Sequence, residues 1–231
     1  MALQRTLRRV FATALAVCAI ATTSSTPAST VLAADERAAQ DGDDVFDEIH
    51  RRAAPLERSL QTISASFVET STSTLLKEPQ VSRGTVVARR PNDVRLEYAR
   101  PDARTVIIRG HTLSLDWPSR KMHGTRDVGA MMRRASRFFG ETSPAELRKH
   151  FDIAAAVASD RKGTWHVTFT PRRKQMREGV AKVHLWIDQS SLVLQAMKMD
   201  YAGGDSRLME FADIRINPPV ADDAFTLPTA R

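Results

Sequence analysis

The stretch of residues 84–117, GTVVARRPNDVRLEYARPDARTVIIRGHTLSLDW, decides the fold. Large apolar side chains fall mostly at every second position in Val94–Tyr98, Val106–Arg109 and Leu113–Trp117. This period is typical of half-buried strands. The intervening Arg90–Asp93, Arg100–Asp102 and Gly110–His111 carry residues that turns favour. The stretch therefore predicts four consecutive strands with one apolar face, which another part of the molecule or a ligand must cover.

The alternation also predicts which side chains of these strands face inward. The expected set is Val94, Leu96, Tyr98, Val106, Ile108, Leu113, Leu115 and Trp117. A slip of one residue in the register would exchange the two sides of the sheet.

The first 33 residues have the pattern of a cleaved export signal. Arg5, Arg8 and Arg9 precede an apolar run over 10–23, and Val31-Leu32-Ala33 suits a signal peptidase, although a cut after Ala28 also fits. The run is short for a membrane span. The only cysteine, Cys18, lies within it. We therefore expect a signal peptide at 1–33, a disordered spacer at 34–44 and a single domain at 45–231 without disulfides.

The charge balance gives little support to a nucleic-acid partner. The 34 basic and 27 acidic residues leave a formal charge of +7, and without the three signal arginines 7 − 3 = +4. The basic run over 171–174 has no interleaved aromatic residues, and no nucleic-acid motif is present. We interpret the run as a solvated loop.

Two further segments show helical periodicity. The first begins at Val45, contains Pro55 and is expected to end near Thr62, before a strand over 64–73. The second covers 127–151 and ends in a helix whose start is marked by the capping box Ser143–Glu146. An apolar stripe on this second segment consists of Val128, Met131, Met132, Ala135, Phe138 and Phe139.

The last third of the chain predicts four more strands. Trp165, Val167 and Phe169 share one face of the first, and strands over 180–188, 192–201 and 208–216 follow. Nine to eleven antiparallel strands in all would curl as their twist accumulates. With the helices on one face, this order predicts an α+β fold with a strongly curved antiparallel sheet. Periodicity leaves open whether the enclosed space is filled or hollow.

A search for catalytic and metal motifs finds none. The histidines lack metal-site spacing, although His166 and His184 can be neighbours on adjacent strands. A catalytic triad could be formed by Ser114, His123 and either Asp116 or Asp127. However, a triad is defined by the geometry of its side chains and not by the presence of these residue types. We therefore expect no catalytic residue, metal or cofactor, with a periplasmic hydrolase as a distant third hypothesis. An apolar ligand and a plain protein core explain the surplus of apolar strand residues equally well.

Short motifs in a shared order give the sequence a family resemblance. The motifs are Leu60-x-x-Ile63-x-Ala65-x-Phe67, Gly84, Arg90-Pro91, Val94–Tyr98, Pro101, Val106-Ile107-Ile108-x-Gly110-x-x-Leu113, Ile187-Asp188, Asp200-x-x-Gly203, Phe211-x-x-Ile214-x-x-Asn217 and Phe225. They resemble the LolA-type periplasmic carriers that shuttle lipoproteins to the outer membrane, and the wider lipid-binding superfamily with the same fold.

This resemblance implies an incomplete β-barrel with helices as a lid over an apolar cavity that shelters acyl chains. The eight inward residues named above would line the cavity together with Met131, Met132, Phe138, Trp165, Val167 and Phe169. It also implies that Arg90 holds the closed form by hydrogen-bonding carbonyls of the lid helix.

The resemblance also implies the setting and the partners. We expect a periplasmic monomer that carries acylated lipoprotein or lipid cargo between an inner-membrane exporter and an outer-membrane acceptor. The second hypothesis is a lipid-sensing regulatory module of the same fold. Two departures stand out: Phe67-Val68-Glu69 replaces the carriers' usual Phe-x-Gln, and only six residues follow Phe225. They leave open whether the cargo is a lipoprotein or another envelope lipid.

Overall fold

The computed structural model describes residues 36–130 and 143–227. In chain order the elements are α1 (Glu36–Ser59), β1 (Thr62–Thr72), β2 (Gln80–Arg89), β3 (Asp93–Arg100), β4 (Arg104–Arg109), β5 (Thr112–Trp117), β6 (Met122–Asp127), α2 (Pro144–His150), β7 (Phe151–Val157), β8 (Thr164–Pro171), α3 (Lys174–Arg177), β9 (Val180–Asp188), β10 (Leu194–Tyr201) and β11 (Ser206–Ile216). Two short 3₁₀ helices lie at Pro118–Arg120 and Asp222–Phe225.

The strands form one sheet of eleven strands in the order β6-β5-β4-β3-β2-β1-β11-β10-β9-β8-β7. Every neighbouring pair is antiparallel, and β6 and β7 are the two edges, so the curved sheet does not close. The predicted α+β class and large antiparallel sheet are confirmed. No helix in the described ranges is both long and apolar enough to cross a membrane.

Pairing between β1 and β11 joins the two halves of the sheet. The register runs from Ile63 opposite Ile216 to Thr72 opposite Ser206, with one irregularity near Ser64. Asn217 follows β11 and fixes this end: its Oδ1 accepts the Gln61 N–H at 2.7 Å, and its Nδ2 donates to the Ser59 carbonyl at 2.9 Å. One side chain therefore ties the end of α1 to the start of β1 and the end of β11.

The four-strand prediction for residues 84–117 is confirmed as β2 to β5, with all three predicted turns in place. The register places Val94 opposite Ile108, Leu96 opposite Val106, and Val106 opposite Leu115. Gly110 has φ = 59°, a conformation that glycine adopts without steric cost. A further turn joins β10 to β11, where Tyr201 N donates to Asp205 O at 2.9 Å.

Two edge strands depart from the predictions. β6 has only exposed residues and no apolar alternation, so hydrophobic periodicity could not find it; it forms by pairing with β5. The predicted helix through Phe151 ends instead at His150, and Phe151 begins β7. The alanines of β7 favour a helix by propensity, but pairing with β8 overrides that preference. The helix start that the capping box predicted is confirmed, because Ser143 is the N-cap and its Oγ accepts the Glu146 N–H at 3.3 Å.

The N-terminal helix also departs from the prediction. α1 is a 24-residue helix that begins at Glu36 and contains Pro55, so residues 36–44 are helical and not the expected spacer. The polar segment ERAAQ was interpreted as disordered, although glutamate, alanine, arginine and glutamine are all good helix formers. The predicted signal at 1–33 lies outside the described residues, as do Met131, Met132, Ala135, Phe138 and Phe139 of the predicted stripe.

The main core lies between α1 and one face of the sheet, which we call the concave face. Phe46 and Ile49 of α1 belong to it. The Phe46 ring meets the Phe169 ring edge to face at 5.7 Å between centroids, and Phe151 meets Phe169 at 5.8 Å. Such aromatic pairs add to the burial of their apolar area.

The opposite face of the sheet carries two apolar clusters that are smaller than the main core. Ile107 of β4 and Phe225 of the last 3₁₀ helix are both about 2% exposed, and Arg95 Nη1 donates to the Ala224 carbonyl at 3.2 Å. On the other half of the sheet, Trp186 packs with Ala158 and Ala196. The segment after β11 therefore covers the back of β3 and β4, which explains why Val106, Ile107 and Ile108 are all buried.

Gly84 allows a close approach between neighbouring strands. It lies opposite Phe67 of β1 and Tyr98 of β3, whose rings meet edge to face at 5.0 Å. A Cβ atom at this position would lie 2.2 Å from the Glu97 carbonyl oxygen and 2.7 Å from Phe67 Cζ. Because one of these neighbours is backbone, the strands would have to separate.

We predict that Gly84→Ala lowers the free energy of unfolding by about 2–3 kcal/mol, because it overpacks a strand contact. The matched control is Gly124→Ala in β6, where no atom lies within 4 Å of a new Cβ. Urea denaturation of both variants measures the difference. Equal stability of the two variants would show that this contact is not tight.

Candidate functional site

The concave face brings together most of the predicted inward residues. The buried members of one apolar cluster include Val94, Leu96, Tyr98, Val106, Ile108, Leu113, Trp165, Val167 and Phe169. Leu115 packs against this cluster and is half-buried. Trp117 is half-buried at the end of β5 beyond the cluster. The predicted orientation of these strands is therefore right, whereas their role in an acyl-binding cavity remains a prediction.

The apolar face also contains residues that the sequence prediction did not include. Met197, Met199 and Met209 of β10 and β11 are each at most 3% exposed and belong to the same cluster. These methionines alternate with polar residues in the sequence, and this alternation could have indicated that they face the core. The described apolar surface thus extends across the sheet from β5 to β7.

Arg90 lies where the turn between β2 and β3 meets α1. Its Nη2 donates a hydrogen bond to the carbonyl oxygen of Glu57, and its backbone N–H donates to Gln61 O at 3.0 Å. The Glu57 carbonyl belongs to the last turn of α1, where carbonyls lack a partner within the helix. The side chain thus links the meander to the helix that packs on the concave face.

Burial sets the electrostatics of Arg90. It lowers the pKa of the guanidinium below its ordinary value, and the nearby Glu57 partly offsets this effect. Its Nε is buried and has no hydrogen-bond partner within the described ranges. The side chain as a whole is half-buried, and a buried donor without a hydrogen-bond partner is costly to maintain.

A charged group interrupts the apolar face at one end; we call Glu69, Tyr98, Arg104 and Arg207 the Glu69 cluster. Glu69 of β1 is 2% exposed, and its Oε2 accepts the Tyr98 hydroxyl at 2.8 Å. Arg104 Nη2 and Arg207 Nε lie 3.8 and 3.7 Å from Glu69 Oε1. The carboxylate is thus paired, as a buried charge must be.

Sequence reasoning missed this cluster. Tyr98 was predicted to face inward and Glu69 was noted as a departure from the Phe-x-Gln pattern, but neither arginine was identified. Arg104 starts β4 and Arg207 is the second residue of β11, so their positions in the chain gave no indication that they are close. The pairing of β1 with β11 and the meander of β3 and β4 bring them to one end of the face.

The opposite face carries a polar group built around two histidines. His166 Nε2 and His184 Nδ1 are 3.0 Å apart, and His184 Nε2 lies 3.0 Å from Asp200 Oδ2. Burial lowers the pKa of His166, and the neighbouring His184 lowers it further. The predicted proximity of the two histidines is confirmed. They lie on the same side as Trp186, away from the apolar cluster.

The triad hypothesis finds only partial geometry. His123 Nδ1 and Asp116 Oδ1 are 2.5 Å apart on adjacent strands, with His123 largely exposed. No hydrogen bond joins Ser114 to either residue in the described part of the chain, and Asp127 pairs with Thr112 at the far end of β6. Over residues 36–130 and 143–227, no group of three or more His, Cys, Asp or Glu side chains could hold a metal ion.

An unclosed antiparallel sheet with a buried apolar concave face is the arrangement that the family resemblance implied, and comparison with known proteins identifies the family. A sequence profile described as "Outer membrane lipoprotein carrier protein LolA" matches residues 58–228. The protein therefore belongs to the LolA family.

The chain is also similar to a curated relative and to solved structures. An outer-membrane lipoprotein carrier protein of Dechloromonas aromatica (strain RCB) is 26% identical over 179 residues, which cover 74% of this chain and 80% of that protein. The crystal structure of Mycobacterium tuberculosis lipoprotein LppX has a TM-score of 0.49 and 16% identity, covering 78% of this chain and 98% of that one. A LolA superfamily protein from Nitrosomonas europaea has a TM-score of 0.37 and 11% identity, covering 82% and 97%.

We predict that Arg90→Leu speeds amide hydrogen exchange in the second half of α1 about tenfold, because it removes a charged hydrogen bond to the helix. The free energy of global unfolding should change by less than about 1 kcal/mol, since the substitution also removes the desolvation cost of a half-buried cation and of its unpaired Nε. Mass-spectrometric hydrogen exchange separates the two effects.

The control is Arg109→Leu, which replaces an exposed arginine at the end of β4. It should leave exchange in α1 unchanged. If the Arg90 variant also leaves it unchanged, Arg90 does not hold the helix.

Proposed function

We propose that this protein is a non-enzymatic carrier that shelters the acyl chains of a lipoprotein or another envelope lipid against its concave face. The observation that carries the proposal is the continuous buried apolar surface from β5 to β7 in a member of a lipoprotein-carrier family. Each methylene group removed from water contributes about 0.8 kcal/mol. Transfer of the cargo needs no catalytic residue, because a second apolar surface can take over the chains.

In this proposal α1 is the lid and Arg90 its latch. Phe46 and Ile49 cover the concave face, and the Arg90 bond to Glu57 holds the helix in place. Movement of α1 would expose apolar surface, and an acyl chain would replace the contacts that the helix gives up. The residues that line the acyl site would include Leu96, Val106 and Val167, and the partly covered Leu115 would lie at its margin.

The setting proposed for this carrier follows its family and its N-terminal sequence. An export signal at 1–33 would deliver it to the periplasm, where it would work as a monomer. It would receive acylated cargo from an inner-membrane exporter and pass it to an acceptor at the outer membrane. The curated relative named an outer-membrane lipoprotein carrier protein supports this route.

Native mass spectrometry tests the proposal. The protein is purified from the envelope of its host without detergent. We expect a fraction of the protein to carry a mass that dissociates on activation and fragments as an acylated molecule. Protein that is persistently free of bound mass, and that takes up no lipid on incubation with lipid vesicles, would contradict it.

We predict that Leu115→Glu reduces binding of an acyl probe at least about tenfold, because it places a carboxylate at the margin of the apolar surface. The matched control is Ser114→Glu, which puts the same charge on the adjacent residue of β5 but on the other face of the sheet. A fluorescent fatty-acid titration compares the two, with thermal unfolding as the check on folding. Equal binding by both variants would place the ligand elsewhere.

A further inference from the structure

We propose that Arg104 is the anion-binding residue of a headgroup subsite, so that the preferred cargo is an acylated molecule whose head carries a net negative charge. This inference rests on the proposed carrier function and specifies the chemistry of the ligand that the concave face takes. The subsite lies at the end of that face where β1, β3, β4, β5 and β11 contribute the Glu69 cluster and Trp117.

The guanidinium of Arg104 is held in place, but its donors make no hydrogen bond to any residue that the structure describes. Its Cζ lies 3.6 Å from the centroid of the Tyr98 ring and 5.0 Å from that of Trp117. The nearest carboxylate oxygen, Glu69 Oε1, is 3.8 Å away, beyond hydrogen-bond distance. No residue in the described ranges accepts a hydrogen bond from this side chain. Stacking on an aromatic ring leaves the edge of the guanidinium available, and that edge matches phosphate and carboxylate geometry.

The charges around Arg104 favour an anion. Among the described residues that form ion pairs here, Arg104, Arg120 and Arg207 face Glu69 and Asp102, which gives 3 − 2 = +1. Glu69 is 2% exposed and already accepts the Tyr98 hydroxyl, so it is poorly placed to meet a ligand. The Arg104 side chain is 15% exposed, and Arg120, which lies 4.4 Å from the Trp117 ring, is 61% exposed. A ligand that reaches this end therefore meets the arginines first.

The position of the subsite indicates an acylated ligand and not a free anion. Arg104 lies on the same face of β4 as Val106 and Ile108, and Tyr98 is both a ring partner of Arg104 and a member of the apolar cluster. One molecule with an acyl chain and an anionic head can therefore contact both surfaces at once. A free phosphate would meet only the arginines and gain nothing from the apolar face.

The test is a competition between two lipids with identical acyl chains. Delipidated protein is incubated with equal amounts of phosphatidylglycerol and phosphatidylcholine, and native mass spectrometry measures the ratio of the two complexes. We expect the wild-type protein to prefer phosphatidylglycerol about tenfold, and Arg104→Gln to lower the ratio to about one without loss of phosphatidylcholine binding. Arg109→Gln removes the same charge from an exposed position on β4 and should keep the preference.

A second variant changes the ratio in the opposite direction. Glu69→Gln keeps an acceptor for Tyr98 but removes the opposing charge, so the preference for phosphatidylglycerol should rise severalfold. Thermal unfolding of each variant shows whether it is folded. This prediction stands even if Arg104→Gln fails to fold.

The outcomes separate the two proposals. Equal binding of both lipids by the wild-type protein would overturn the headgroup subsite and leave the carrier function intact. Failure to bind either lipid, together with protein from the host envelope that is persistently free of bound mass, would contradict the carrier function itself. Inorganic phosphate is added as a separate competitor: if millimolar phosphate abolishes the preference in full, the arginines bind a free anion and the inference of an acylated ligand is wrong.

Discussion

Pairing between β1 and β11 is the constraint on which the rest of the structure depends. These strands are separated by most of the chain, yet they are neighbours in the middle of the sheet. Their contact joins the half built from β1 to β6 to the half built from β7 to β11, and Asn217 ties both to the end of α1. Without this pairing neither a continuous apolar face nor the contact between Glu69 and Arg207 would exist.

Sequence periodicity predicted the parts of the fold in which one face is apolar. The meander around Val94, Ile108 and Leu113 was found because large side chains alternate there, and the later strands around Val167 and Val183 for the same reason. β6 escaped because an exposed edge strand has no apolar face, and β7 because its alanines suit a helix as well as a strand. These strands are formed by their neighbours and not by their own composition.

The candidate site was predictable to the same extent. Alternation identified the apolar residues, and the family resemblance directed attention to Arg90, whose contact with Glu57 is present. The Glu69 cluster could not be found in this way, since its members come from β1, β3, β4 and β11. The inward orientation of Tyr98 and the departure from the family motif at Glu69 were the only indications. Charged residues that meet through long-range pairing leave no periodic signal in the sequence.

The described face is therefore apolar along most of its width and basic at one end, which suits a molecule with two chemically different parts. The central claim is that the acyl chains of the ligand lie against the concave face. Nuclear magnetic resonance of the methyl groups of Met197, Met199 and Met209 tests it most directly, because these side chains are buried on that face. With methyl-labelled methionine and a bound acylated ligand, we expect nuclear Overhauser contacts between these methyls and the acyl methylenes. Contacts confined to Met122, which is 48% exposed on the edge strand, would contradict the account.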